Sequence, residues 1–199
     1  MIGAKSKEWP EIVSCGILKR EIRYLAYKNE WPVKLRFLDS SLHIDLEKLS
    51  KSLKRILSKN INREKIVVYG SCHPQMDDIL SSVNAVRTPC QNCVELLLGK
   101  REFTEKLSKG AFFLFEDWAR RWEEISYGYF KNWDIMREIF QGAHNYILCI
   151  ETPCSTDFKS YAKEISYKIG LPVVWGRYDL NRLERALKQS VLSSIGRII

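Results

Sequence analysis

Long apolar runs are missing from this sequence of 199 residues. No run approaches the roughly 20 apolar residues that a membrane-spanning helix needs, and the opening residues 1–10 have no hydrophobic signal core. Glycine and proline are scarce, at 10 and 6 residues, while 45% of all residues are hydrophobic. This composition excludes collagenous and disordered chains. We therefore expect a soluble, cytoplasmic protein that has no membrane partner.

The common catalytic motifs are also missing. The sequence has no GxxxxGK[ST] phosphate loop, no GxGxxG dinucleotide fingerprint, no HExxH zinc motif and no GxSxG nucleophile motif. What it does have is six cysteines. In a reducing compartment such thiols do not form a disulfide scaffold, so they are free to bind metals, to react or to fill the core.

Short β-branched and aromatic runs alternate with helical patterns along the chain, which is typical of an α/β fold. We predict one domain over residues 1–199, with a core at about 11–190. It contains a mostly parallel sheet flanked by helices, in a Rossmann-like layered architecture. An aromatic helical insertion is expected near 118–141, with one long helix at Trp118–Phe130. The predicted strands are Ile12–Cys15, Lys34–Leu38, Ile66–Tyr69, Ala85–Arg87, Phe112–Phe115, Tyr146–Ile150 and Val173–Trp175.

Cysteines fall at the ends of several predicted strands. Cys15 ends the first strand, Cys72 follows the third, and Cys93 opens the helix after the fourth. Because the carboxyl ends of parallel strands meet at one edge of a sheet, we expect these three thiols to lie together. Thiolates bind zinc, copper(I) and iron strongly, so the pattern predicts a metal site. A metal-free redox pair, or thiols that simply fill the core, are the alternatives.

Other polar residues flank the same predicted strand ends. Cys90 forms a CxxC pair with Cys93, and Cys154 follows the sixth strand. His43 precedes a helix and His73 lies beside Cys72, so each imidazole is a candidate ligand or a hydrogen-bond partner of a ligand. Two further features lie at strand ends. Arg87 is a candidate anion-binding residue or a member of an ordinary salt bridge. Glu116 and Asp117 are candidates for a site base or a Mg²⁺ ligand, but capping of the helix that follows is the favoured interpretation.

The net charge of +8 is unevenly distributed. Residues 1–65 carry 15 of the 32 basic side chains but only 8 of the 24 acidic ones. Much of this excess lies on one face of the predicted helix at 45–59. Such a face either docks an acidic partner or is simply solvated, and no motif here indicates nucleic-acid binding.

Taken together, the motifs resemble an uncharacterised family, known only as a domain of unknown function, of methanogenic archaea and anaerobic bacteria. Genes of that family often lie beside genes for corrinoid-dependent methyltransferases. The resemblance covers about residues 11–190 and picks out Cys15, Cys72 and Cys93, whereas Cys90 and Cys154 fall outside the shared pattern. The motifs that carry it are Cys15-Gly16-x-Leu18-Lys19-x-Glu21, Leu42-His43, Tyr69-Gly70-x-Cys72, Asn92-Cys93-x-x-x-Leu97-Leu98-Gly99, Gly110-x-Phe112-Phe113-Leu114 with Trp118, and Gly176-x-x-x-Leu180-x-x-Leu183.

The resemblance implies a role in anaerobic one-carbon metabolism, with a corrinoid protein or a methyltransferase component as partner. Three cysteines would hold an iron–sulfur cluster with one open iron, the favoured cofactor, or a zinc ion that activates a thiol. Two alternatives remain. One is a metal-free thiol enzyme with a cysteine nucleophile at a strand end, and the other is a non-catalytic module that docks an acidic partner through the 45–59 helix.

Overall fold

The structure is a computed structural model that describes residues 9–61, 63–81, 83, 85–127, 130 and 132–198. The chain divides into two compact units, one comprising Met1–Cys93 with Leu183–Ile199 and the other Val94–Arg182. Each unit contains its own parallel sheet. The prediction of one domain over the whole chain stays a prediction, since two compact units can fold together. None of the described helices has the length and apolarity that crossing a membrane requires.

The first unit is built on four parallel strands in the order β2-β1-β3-β4. These strands are β1 Glu11–Cys15, β2 Lys34–Leu38, β3 Lys65–Val68 and β4 Ala85–Arg87. The helices between them are α1 Lys19–Lys28, α2 Leu46–Leu57 and α3 Met76–Ser81, with short 3₁₀ helices at Gly16–Leu18 and Ser40–Ile44. Helix α4, Cys93–Leu98, follows β4, and all of its residues except Cys93 belong to the second unit. The long helix α10, Asn181–Ile198, ends the described chain.

One face of the first sheet is covered by α2, whose apolar residues recur with the helical period. Leu49 and Leu53 are completely buried and belong to the same cluster as Val13 of β1 and Val67 of β3. The helix begins where the Asp45 carboxylate accepts a hydrogen bond from the Lys48 N–H, which satisfies a free donor of the first turn. This face of the sheet therefore packs into a buried apolar core, which fixes the positions of the strand ends.

A buried ion pair lies at the amino ends of the same strands. Lys65 Nζ donates to Glu11 Oε2 at 2.5 Å, with both side chains almost fully buried, and Arg36 Nε donates to Glu11 Oε1 at 2.8 Å. Burial alone would raise the pKa of the Glu11 carboxyl, but the hydrogen bonds from Lys65 and Arg36 outweigh it and lower that pKa. The amino ends of these strands are thus joined by ion pairs, whereas the predicted site residues lie at the carboxyl ends.

The second unit contains three parallel strands in the order β5-β6-β7. They are β5 Ala111–Phe115, β6 Tyr146–Glu151 and β7 Val173–Arg177. Its helices are α5 Lys100–Ser108, α6 Glu116–Arg120, α7 Trp122–Tyr127, α8 Trp133–Ala143 and α9 Lys159–Ile169. Leu114, Ile147 and Cys149 of the sheet pack with Ala162 and Ile165 of α9 in a buried core.

The structure confirms the α/β class with parallel sheets flanked by helices, but the seven strands among the described residues form two sheets. β4 belongs to the first sheet and β5 to the second, and the described residues between them form helices and loops but no strand. β4 is only three residues long and partly exposed throughout, as expected of a strand that ends a sheet. The helix predicted at Trp118–Phe130 instead begins at Glu116 and is interrupted at Arg121. Part of that prediction, residues 128 and 129, lies outside the described chain.

Candidate functional site

The carboxyl ends of β1, β3 and β4 bring three of the predicted cysteines into one neighbourhood. Cys15 is the last residue of β1, Cys72 lies four residues beyond β3, and Cys93 is the first residue of α4. Burial raises the pKa of the Cys93 thiol well above its usual value, and the charges of Cys15, Cys72 and Cys90 raise it further. Cys15, Cys72 and Cys90 therefore each lie within electrostatic reach of Cys93.

A glycine allows the two loops that carry Cys72 and Cys93 to touch. A Cβ at Gly70 would lie 2.0 Å from the backbone oxygen of Gln91, a distance that no side chain tolerates. The N–H of Ser71, the residue after Gly70, donates a hydrogen bond to that same oxygen at 2.7 Å. The Tyr69-Gly70-x-Cys72 motif thus has a physical reason, because only glycine lets the loop after β3 lie against the CxxC loop.

A second close approach brings a histidine to Cys15. A Cβ at Gly16 would lie 2.8 Å from the backbone oxygen of Leu38, so the turn after β1 lies against the end of β2. The 3₁₀ helix after β2 carries His43, whose Nε2 lies 3.1 Å from Cys15 Sγ. Burial lowers the pKa of His43, so its imidazole is neutral at neutral pH and one ring nitrogen can accept a proton.

Tyr69 lies in the middle of this group. Its ring stacks on that of His43 with centroids 6.0 Å apart, and the residue is only 2% exposed. Its hydroxyl makes no hydrogen bond of ordinary geometry in the part of the chain that is described, although the Cys15 thiol lies close enough to interact with it. Burial, followed by the charges of the Cys15 and Cys72 thiols, raises the pKa of the phenol, which therefore stays protonated. An unpaired buried donor beside several thiols is a feature that a bound group would explain.

The site is rich in sulfur but does not form a closed set of metal ligands. Among the residues that the structure describes, no three His, Cys, Asp or Glu side chains are arranged to hold a metal ion. The Cys72 and Cys93 thiols are protonated at neutral pH, since burial raises the pKa of each. The donor types are nevertheless those that zinc and iron–sulfur clusters take, namely thiols and a neutral imidazole. Metal binding would draw the sulfur atoms together and release their protons.

The remaining sequence-predicted residues lie around this group or away from it. Arg87 is the last residue of β4. Burial raises the pKa of Cys72, and the positive charge of Arg87 offsets part of that increase. The Arg87 guanidinium also forms a 3.0 Å ion pair with the exposed Asp77. His73 is buried, and its Nδ1 accepts a hydrogen bond from the Gln75 N–H, which stabilises the turn before α3.

The other two cysteines differ from each other in position. Cys90 is half-buried, with its Sγ 3.6 Å from the Thr88 hydroxyl, and belongs to the first unit beside Cys93. Cys154 lies in the second unit, in the loop after β6, where its N–H bonds the Thr152 hydroxyl. Cys154 therefore follows a strand of a different sheet from the other predicted cysteines. Cys149 is fully buried in β6, as a core residue should be.

Sequence reasoning missed two functional positions. Tyr69 was interpreted only as the last residue of a strand, although the Tyr-Gly-x-Cys motif already placed it beside Cys72. Glu116 was interpreted as a helix cap, but Phe115 is the residue that precedes α6, and no side chain caps that helix. The Glu116 carboxylate instead accepts hydrogen bonds from Thr156, forty residues later, which no local pattern reveals.

We expect Tyr69→Phe to leave the metal-free protein as stable as the wild type or to raise its free energy of unfolding by about 1 kcal/mol, because an unpaired buried hydroxyl is removed. Tyr178→Phe is the matched control. Its hydroxyl donates to Glu102 Oε1 at 3.1 Å, so its removal should cost about 1 kcal/mol. Urea unfolding of metal-free protein measures both. A loss at Tyr69 as large as that at Tyr178 would show that the Tyr69 hydroxyl is already satisfied.

Comparison with known proteins places the chain among proteins without an assigned activity. The model of a family described as "Protein of unknown function (DUF1638)" matches residues 37–187, a span that includes His43, Tyr69, Cys72 and Cys93. The match confirms the expectation of an uncharacterised family. No curated protein and no solved structure matches the chain.

Proposed function

We propose that this protein, which belongs to the family of proteins of unknown function DUF1638, binds a metal centre through Cys15, Cys72 and Cys93. The observation that carries the proposal is that three thiols from separate segments of the chain come together, with Cys15 and Cys72 acting on Cys93 and all three acting on the buried Tyr69 hydroxyl. Among the described residues that hydroxyl makes no hydrogen bond of ordinary geometry, and the Cys15 thiol is its neighbouring partner. A sulfur-ligated metal, or a group bound to it, would accept a hydrogen bond from Tyr69.

An iron–sulfur cluster is the centre we propose first, because all three motif cysteines supply sulfur and an iron would keep one open position. Zinc is the alternative, since the His43 imidazole beside Cys15 adds a nitrogen donor that zinc accepts. A bound zinc would supply Lewis-acid chemistry, and a bound iron–sulfur cluster would supply electron transfer or an open Lewis-acid iron. The residues of the chain would hold it, keep water out through the buried Cys15 and Tyr69, and orient a bound group towards the Tyr69 hydroxyl.

The metabolic setting we propose is anaerobic one-carbon metabolism, with a corrinoid protein or a methyltransferase component as partner. This part of the proposal is supported by the family resemblance of the motifs. The partner would be a protein, and the exposed basic residues of α2, including Lys54, offer an acidic partner a surface of matching charge. Co-purification of the tagged protein from an anaerobic source cell, with and without Lys54→Glu, would identify such a partner.

The test of metal binding is elemental analysis after anaerobic purification. The wild type is expected to contain iron and acid-labile sulfide with the visible absorption of an iron–sulfur cluster, or stoichiometric zinc. Cys15→Ser, Cys72→Ser and Cys93→Ser should each lose most of the metal, and Cys154→Ser in the second unit should retain it. Undiminished metal in all three motif variants, or metal-free wild type, would overturn the proposal. Cys90→Ser shows in the same series whether Cys90 is a ligand.

Metal affinity should increase steeply with pH. Burial raises the pKa of Cys72 and of Cys93, so both thiols carry protons at neutral pH and must release them when metal binds. Because two protons are released for each metal bound, the association constant for the metal should increase about 100-fold for each unit of rising pH. Competition with a chelator across the neutral range measures the slope. A flat profile would mean that these two thiols do not bind the metal.

A second candidate function is favoured by the 3.1 Å contact between His43 Nε2 and Cys15 Sγ. A neutral imidazole at this distance can accept the thiol proton and make Cys15 a nucleophile without any metal. In that case Cys15 alone should react quickly with iodoacetamide at neutral pH, and His43→Gln should slow the reaction. Cys72 and Cys93 should react slowly, because their raised pKa values keep them protonated. Fast alkylation of metal-free wild type together with an absence of metal would favour this thiol enzyme.

A further inference from the structure

A cleft of about 560 Å³ lies in the second unit, where β6 and β7 end. Its size is that of cavities that hold small organic ligands, and the carboxyl edge of a parallel sheet is where such ligands bind. Two segments of chain line it, one after each strand. Its lining includes Glu151, Thr156, Asp157, Lys159, Arg177 and Asp179.

The loop that follows β6 is fixed by hydrogen bonds to two side chains of α6, Glu116 and Arg120. Glu116, only 7% exposed, accepts hydrogen bonds from both the N–H and the hydroxyl of Thr156. Arg120 bonds Glu116, the Thr156 hydroxyl and the Asp157 carbonyl oxygen, the last at 2.8 Å. A buried carboxylate is costly unless it is paired, and here its partners are the loop itself. The wall of the cleft is therefore formed before any ligand arrives, which reduces the entropy lost on binding.

The carboxylates that line the cleft are already engaged within the protein. Glu151 Oε2 accepts from Arg177 Nε at 3.1 Å. Asp157 Oδ1 and Asp179 Oδ1 each accept a backbone N–H, from Lys159 and Asn181, at 2.9 Å. Each of these three carboxylates thus accepts a hydrogen bond from within the protein.

The cations of the cleft keep free donors. Within the described chain, the Lys159 ammonium makes no ion pair or hydrogen bond, and Arg177 uses only its Nε, so its two terminal nitrogens are free. Lys159 also begins α9, an eleven-residue helix whose amino end carries partial positive charge. A guanidinium fork and an ammonium group with unused hydrogen-bond donors thus line one space, next to the amino end of a helix.

We infer that this cleft binds a small molecule through an oxyanion group, a phosphate or a carboxylate, held by Lys159 and Arg177. The volume leaves room for an organic body beyond the anionic group. The inference concerns the second unit and does not depend on a metal at Cys15, Cys72 and Cys93.

Isothermal titration with inorganic phosphate, AMP and citrate tests the inference. We expect saturable binding of at least one probe by the wild type, weakened about tenfold in Lys159→Gln and in Arg177→Gln. Tighter binding of AMP and phosphate than of citrate would identify a phosphate site, and the reverse order a carboxylate site. Lys163→Gln is the matched control, because it removes the same charge from an exposed position one turn further along α9.

Two outcomes would overturn the inference. One is a wild type that binds none of the three probes, and the other is equal weakening by Lys159→Gln and Lys163→Gln, which would mean general charge attraction. Circular dichroism confirms that each variant is folded. Because the Arg177 side chain is 86% exposed, Arg177→Gln should fold even where another variant does not.

Discussion

Replacing Gly70 by alanine is expected to lower the free energy of unfolding by about 3 kcal/mol and to expose Cys93 to alkylation. The added Cβ would lie 2.0 Å from the Gln91 oxygen and 2.6 Å from the Asn92 nitrogen, and both are backbone atoms that cannot rotate away. The loop after β3 must therefore move off the CxxC loop. The hydrogen bond from the Ser71 N–H to Gln91 would break with it.

Urea unfolding and the rate at which iodoacetamide modifies Cys93 measure these two effects. Gly142→Ala is the control, because a Cβ at Gly142 meets nothing within 4 Å and the residue lies within α8. Alanine in a helix interior is favoured over glycine by about 0.5–1 kcal/mol, so this control should be neutral or stabilising. A Gly70→Ala protein as stable as the wild type, with Cys93 still protected, would show that the two loops are not in contact.

Lys65→Met is expected to destabilise the protein by about 3–5 kcal/mol, because it leaves the Glu11 carboxylate buried without its main partner. Lys65 and Glu11 are 1% and 3% exposed, so water cannot replace the lost ammonium. Arg36 keeps one hydrogen bond to Glu11 but is itself 44% exposed. The second change Glu11→Leu should restore much of the loss, since a buried pair replaced by apolar side chains often costs little.

Urea unfolding of the two variants measures the effect. Lys51→Met is the control, since Lys51 forms an ion pair with Glu47 in which both side chains are about three quarters exposed, and its removal should change stability little. The pKa of Glu11 is lowered in the folded protein, so the stability it contributes is present above its ordinary pKa of 4.5 and is lost as the pH falls below it. Equal losses for Lys65→Met and Lys51→Met would contradict the buried pair.

Local patterns predicted all seven strands of the described chain, because each strand is a short run rich in apolar residues and bounded by turns. Lys34–Leu38 and Ala85–Arg87 have the predicted bounds, and the other strands differ by one or two residues at an end. The short helix α3 was not predicted, because six residues after a loop carry too little periodicity. The division into two sheets was also missed, since strand order depends on contacts that a sequence pattern does not contain.

The candidate site could be predicted as far as it depends on strand ends. Cys15, Cys72 and Cys93 were expected to lie together because parallel strands end at a common edge, and they lie in one neighbourhood. Their role as metal ligands stays a prediction. Cys154 was grouped with them as a further candidate on the same rule, but its strand belongs to the other sheet. The unpaired Tyr69 hydroxyl depends on tertiary packing, which sequence spacing does not reveal.

X-ray absorption at the metal edge of anaerobically purified protein tests the central claim most directly, since it reports which atoms surround the metal. Binding through Cys15, Cys72 and Cys93 predicts a first shell dominated by sulfur. In Cys72→Ser that shell should lose a sulfur ligand or the metal altogether, and in Cys154→Ser it should be unchanged. A metal surrounded only by oxygen and nitrogen, or a sulfur shell unaltered in Cys72→Ser, would contradict the account.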